Sequence, residues 1–183
     1  MDNNQNSTLE ITKNLTVTCF IAGIIIAVVY YITAPVAAQK QIELKNKTMQ
    51  TLVKNADDFK SVNGKTDWYE AKQGSNTVAY VVPAESKGYG GAITMLVAVT
   101  PDGKVIGFSI VSHNETPGLG ANASKDSFTA QFKGKTADDL LVVKDKSNNK
   151  NIQAMTGATI TSRAVTKGVK EAVQEVTTFT GGK

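Results

Sequence analysis

A chain of 183 residues has room for one ordinary domain and an accessory segment, and its 20 Lys and Arg against 16 Asp and Glu leave a formal charge of +4. The basic residues are scattered lysines, with Arg163 the sole arginine, so the sequence lacks the concentrated basic stripe and stacking partners of a nucleic-acid interface. One cysteine, Cys19, and one histidine, His113, exclude a disulfide framework and a cysteine or histidine metal cluster, and no metal site is expected.

From Leu15 to Ile32 nearly every residue is apolar or a small hydroxyl residue, and no charge falls between Lys13 and Lys40. Such a run crosses about 30 Å of hydrocarbon as a helix. Tyr30 and Tyr31 lie near its far end, where aromatic rings favour the membrane interface. Residues 15–36 are read as one transmembrane anchor. The alternative is a signal peptide cleaved around Val36-Ala37-Ala38, but the apolar run is long for one and the leading segment carries Asp2 and Glu10 as well as Lys13. Cys19 sits within the run as a small apolar residue. Counting Lys13 on one side against Lys40, Lys45 and Lys47 on the other favours a cytoplasmic location for the rest of the chain.

Ile42, Leu44, Met49, Leu52 and Val53 recur at helical intervals, which predicts a helix over 39–55 within a linker of residues 37–60. The remainder, 61–183, reads as the folded domain. Strands are expected at 77–82, ending at Pro83, and at 92–100 and 105–111. Between the last two, Pro101-Asp102-Gly103 is a tight hairpin signal, because proline presets one turn angle and glycine accepts positive φ. Short helices or turns are expected over 126–133 and 136–141, then a strand over 140–143. Val165, Val169, Ala172, Val173 and Val176 define the buried stripe of a last helix, with Lys167, Lys170, Glu171 and Gln174 on its other face. This order of elements predicts an α+β fold with an antiparallel sheet and flanking helices. Trp68, Tyr69, Phe108, Phe128 and Phe132 are candidates for its core.

Three loops stand out. Gly88-Tyr89-Gly90-Gly91 joins the first two strands and by itself reads as a hairpin connection. Ser112-His113-Asn114-Glu115-Thr116-Pro117-Gly118-Leu119-Gly120 follows the third and bends twice at its glycines. His113 is read there as a structural hydrogen-bonding group, since no nucleophile or second histidine accompanies it. Thr156-Gly157-Ala158-Thr159-Ile160-Thr161-Ser162 opens the last helix. A helix start has unpaired N–H donors and the positive end of the macrodipole, which suits a phosphate, although simple N-capping by Thr or Ser explains the same residues.

Thr156-Gly157-Ala158-Thr159 resembles the covalent flavinylation motif of FMN-binding domains, and the loop from His113 to Gly120 resembles a signature of the G subunits of Rnf complexes. The Gly88–Gly91 turn also has its counterpart there. The resemblance spans nearly the whole chain. It implies FMN joined by a phosphoester to the hydroxyl of Thr159, within the motif Thr156, Gly157, Ala158, Thr161 and Ser162. Glu115, Thr116, Leu119 and Gly120 would line the isoalloxazine or ribityl chain, and Tyr89 would cover part of the site. A separate flavin transferase would make the bond. The family motif usually has an aspartate three residues before its first Ser or Thr, and here that position is Gln153, which keeps an acceptor oxygen and loses the charge.

Further implications concern place and partners. The resemblance puts the flavin domain outside the cytoplasm, on a single-pass anchor in the plasma membrane with residues 1–14 as a cytoplasmic tail. This reading is preferred over the lysine count, which is weakest for one span followed by a large domain. It implies an electron-relay subunit working with other membrane and redox subunits of the Rnf complex, an ion-translocating ferredoxin:NAD oxidoreductase, with little activity alone. Three alternatives remain: a stand-alone membrane-anchored flavin reductase, the C subunit of a sodium-translocating NADH:quinone reductase, which is a longer chain, and an assembly protein without cofactor.

Overall fold

The computed structural model describes residues 3–145 and 147–181. The chain divides into two compact units, Met1–Asn46 and Lys47–Lys183. Helix α1 (Asn3–Leu52) makes up the described part of the first unit, and its last residues, from Lys47, belong to the second. The anchor and the linker helix, expected as separate elements, are one continuous helix with Pro35 inside it. Proline removes a single N–H, and the alanines and long side chains around it keep helical propensity high.

In the first unit the large apolar side chains, Ile21, Ile24, Ile25 and Ile26 among them, are exposed. The helix is long and apolar enough to cross a membrane. Threonine hydroxyls along it bond back to the helix: Thr12, Thr16 and Thr33 donate to the carbonyls of Thr8, Thr12 and Val29 at 2.8–2.9 Å. Threonine tolerates hydrocarbon through such back-bonding.

In the second unit α1 ends at Leu52, short of the expected 55, and the chain enters a strand before residue 60. Strands β1 (Asp58–Ser61), β2 (Tyr69–Gln73), β3 (Asn76–Lys87), β4 (Ala92–Val99) and β5 (Val105–Ser112) form one antiparallel sheet in chain order. The expected antiparallel pair on either side of Pro101-Asp102-Gly103 is present. Gly103 takes φ +78° and its N–H donates to Thr100 O at 2.9 Å.

Pro83 does not end β3. It pairs with Leu96 of β4, and β3 runs on to Lys87. The β2 partner stops at Val81, so from Val82 onward β3 is bonded on one side only and the missing N–H of Pro83 interrupts no ladder.

After β5 come a turn of 3-10 helix, the short α2 (Asp126–Thr129) and a second 3-10 turn through Phe132. The strand expected over 140–143 narrows to β6 (Val142–Val143), which pairs in parallel with β7 (Ile152–Gln153). The chain then enters α3 (Thr159–Thr180).

Alternate residues of β4 explain why its sequence reads as an unbroken apolar run. Ile93, Met95, Val97 and Val99 pack beneath Val165, Val169, Val173 and Val176 of α3. Leu96 and Ala98 face the other way, against Met49 and Val53 at the end of α1. A sheet buried on both faces has no polar alternation to display. The expected α3 stripe is buried throughout. Phe132 meets Phe108 and Phe128 edge-on, with ring centroids 4.8 and 5.3 Å apart, while Tyr69 packs half-buried on the opposite face.

Candidate functional site

Three segments meet beside the start of α3. The β3–β4 turn closes through Gly88 N–H donating to Gly91 O at 2.7 Å, and it leaves Tyr89 73% exposed. The loop after β5 turns at Gly118, φ +79°, and the carbonyl of Thr116 accepts from the N–H groups of Leu119 and Ala121. His113 has the structural part read for it: its Nδ1 accepts from the N–H of Glu115 at 3.1 Å.

The third segment is the helix start itself. Gly157 has φ +75°, a conformation costly for any residue with a Cβ. A Cβ there would also lie 3.1 Å from Leu119 Cδ2. Capping by Thr or Ser side chains, the simple explanation of the motif, does not occur: the N-cap is Ala158, with no side-chain capping hydrogen bond. The N–H groups of Thr159, Ile160 and Thr161 thus have neither an intrahelical carbonyl nor a side-chain acceptor among the described residues, and the first bond within the helix is Ser162 N–H to Ala158 O at 3.0 Å. Ser162 works from inside the helix instead. Its Oγ accepts from Met155 N–H at 3.0 Å and donates to Ala158 O at 2.9 Å, tying the preceding loop down.

Glu115 holds the segments together. One carboxyl oxygen accepts from Gly90 N–H at 2.8 Å, and the other accepts from the hydroxyl of Thr161. The group is buried, at 6% exposure. Glycines surround it for steric reasons: a Cβ on Gly88 or Gly120 would lie 2.3 Å from a Glu115 carboxyl oxygen, and one on Gly90 would lie 2.0 Å from Asn114 O. Gly90→Ala is therefore expected to push the turn off the loop and destabilise the protein by about 1–3 kcal/mol. A thermal unfolding midpoint equal to wild type would contradict this packing.

These segments enclose a cleft of about 580 Å³. Tyr89, Glu115, Thr116, Leu119 and Gly120 line it from the two loops, and Gly157, Ala158, Thr159 and Thr161 line it from the helix start. Thr156 and Ser162, of the residues singled out from sequence, do not line it. Thr156 is exposed beyond it, and Ser162 is buried behind it, engaged with Met155 and Ala158. Ile160 is a lining residue that the sequence reading passed over. Its place between Thr159 and Thr161 was the available signal, but the apolar period of α3 does not include it. Gln153 lies in β7, where its N–H donates to the side-chain oxygen of Gln131 at 2.8 Å.

The three threonines differ in what their hydroxyls do. Thr161 is 1% exposed and its hydroxyl is spent on Glu115. Thr156 lies off the cleft. Thr159, the first residue of α3, lines the cleft half-exposed, and its hydroxyl makes no hydrogen bond among the described residues. A volume within the cofactor range, an apolar surface from Leu119 and Ile160, and uncapped N–H groups at a helix start fit a flat heteroaromatic ring carrying a phosphate.

The domain that carries this cleft is an FMN-binding domain: that family matches residues 88–174, from the glycine turn into α3. The fold is also that of NqrC from Shewanella oneidensis, whose crystal structure aligns with a TM-score of 0.53 at 20% identity, over 71% of this chain and 73% of that one. The G subunit of the proton-translocating ferredoxin:NAD(+) oxidoreductase complex of Clostridium ljungdahlii is 78% identical over 182 residues, covering 100% of this chain and 98% of its own. The G subunit of the Na(+)-translocating complex of Acetobacterium woodii is 34% identical and is aligned over 84% of each chain. The chain belongs to the family of G subunits of ion-translocating ferredoxin:NAD(+) oxidoreductase complexes.

Proposed function

We propose that this chain is the electron-relay subunit of a membrane ion-translocating ferredoxin:NAD(+) oxidoreductase complex, with FMN joined by a phosphoester to Thr159. The observation that carries this reading is the unengaged hydroxyl of Thr159 on the wall of the cleft, next to an uncapped helix start. A phosphodiester keeps one negative charge, and a helix N-terminus stabilises it by about 0.3–1 kcal/mol when exposed. FMN supplies one-electron chemistry when bound. The residues of this chain hold it, shape its surroundings and keep it from diffusing away.

A flavin transferase makes the bond in this reading, and Gln153 in place of the usual aspartate predicts a less efficient substrate. The exposed apolar helix anchors the chain in the plasma membrane by a single pass, with residues 1–14 cytoplasmic and the flavin domain outside. Ion movement belongs to partner subunits: the chain has no Asp, Glu, Lys, Arg or His between Lys13 and Lys40, where a polar pathway would need one. The names of the two relatives specify different ions, which agrees with coupling residing elsewhere in the complex.

Mass spectrometry of the peptide from Thr156 to Arg163, made on native membranes, tests the linkage. An unmodified peptide throughout would refute it. Relay and independent catalysis are separated by assaying the purified full chain against soluble electron acceptors. Turnover well below that of the assembled complex is expected, and rapid multiple turnover by the isolated chain would favour a reductase.

A further inference from the structure

Glu115 is the one formally charged residue lining the cleft among the described residues, and it is 6% exposed. Both of its carboxyl oxygens act as acceptors, one from Gly90 N–H and one from Thr161 Oγ–H. That is the pattern of an ionised carboxylate. Among the described residues it forms no ion pair. Gly88 and Gly120 lie so close to the carboxyl group that a Cβ on either would sit 2.3 Å from one of its oxygens. A fixed negative charge without a cationic partner among the described residues therefore stands in the wall of a redox-cofactor cleft, where screening is weaker than in water.

We propose that Glu115 lowers the reduction potential of FMN held at Thr159; this rests on the reading of Thr159 as the flavin attachment site. Each electron that enters the cleft ahead of a proton adds one negative charge to it. The Glu115 carboxylate repels that charge, so reduction becomes less favourable and electrons are passed on more readily. The hydrogen bonds from Gly90 and Thr161 fix the carboxylate in place and partly neutralise it. Glu115 is thus a positioning residue for two loops and the helix start, and a source of field for the cofactor.

The two roles are separated by a pair of variants with opposite expectations. Full-length protein carrying covalent FMN, in detergent, is titrated with dithionite, which delivers two electrons per flavin, while the flavin absorbance is followed against a reference dye. Glu115→Gln keeps an acceptor for Gly90 N–H and removes the charge, and an upward shift of the midpoint potential is expected in the protein that carries flavin, whatever the fraction loaded. Thr161→Val keeps the charge and withdraws one donor from it, and a downward shift is expected. An unmoved midpoint in Glu115→Gln, or shifts of the same sign in both variants, would overturn the proposal. If Glu115→Gln does not fold, Thr161→Val decides alone: a lower midpoint supports the proposal, and an unchanged or higher one refutes it. Wild-type protein without covalent flavin would instead refute the linkage on which the proposal rests, and that is seen before any variant is titrated.

Discussion

Thr159→Val is expected to abolish the fluorescent flavin band of denaturing gels while leaving the fold intact. Valine matches threonine in shape and β-branching and lacks the one atom that can carry the ester. The lost hydroxyl has no hydrogen-bond partner among the described residues, so stability should change by no more than about 0.5 kcal/mol, as at a surface site. Thr159→Ser restores an alcohol at the same place and should recover part of the labelling. A fluorescent band that persists in Thr159→Val, at wild-type intensity per mole of protein, would move the attachment to another residue. Thr161 and Ser162 are poor substitutes, because both hydroxyls are buried and engaged.

The second large effect is on stability. Glu115→Ala strands the N–H of Gly90 and the hydroxyl of Thr161 and opens a space among three glycines. Each buried donor left unsatisfied costs about 1–3 kcal/mol, so a loss of about 2–4 kcal/mol is expected after partial relief by water from the cleft. For a domain of this size that lowers the thermal midpoint by about 10 °C. Flavin loading should fall with it, since the turn at Gly90 and the start of α3 are no longer held together. A midpoint within about 2 °C of wild type, a fraction of the expected drop, would show that the carboxyl is no clamp.

How much of this was legible beforehand depends on the range of the forces involved. The stripe on α3 and the turn at Pro101-Asp102-Gly103 are set by neighbours along the chain, and both stand where periodicity and turn chemistry put them. Strands β1 and β2 were not anticipated. Asp58-Phe59-Lys60-Ser61 and Tyr69-Glu70-Ala71-Lys72-Gln73 are short and mostly polar, and they become strands because β3 offers β2 a ladder and β2 in turn offers one to β1.

The site divides in the same way. The motif residues were pointed to by the family resemblance, yet what each does is a tertiary matter. Gly88, Gly90 and Gly120 read locally as flexible turn residues, whereas Gly88 and Gly120 are constrained by the Glu115 carboxyl group and Gly90 by the backbone carbonyl of Asn114. Glu115 read as a flavin contact, and its hydrogen bonds make it first a fastening between loops. Ser162 read as part of the motif, and its position four residues into the helix lets it tie the loop from behind.

The one-sided stretch of β3 also bears on self-association. From Val82 to Lys87 the strand offers unpaired backbone groups on the side that β2 leaves open, the kind of margin that recruits a strand from another molecule. Pro83 withholds one donor there, and the charges of Glu85 and Lys87 make a second chain's approach unfavourable. A proline that looked like the end of a strand thus serves as a guard against intermolecular sheet growth, and a valine in its place would favour aggregation over any gain in local strand propensity.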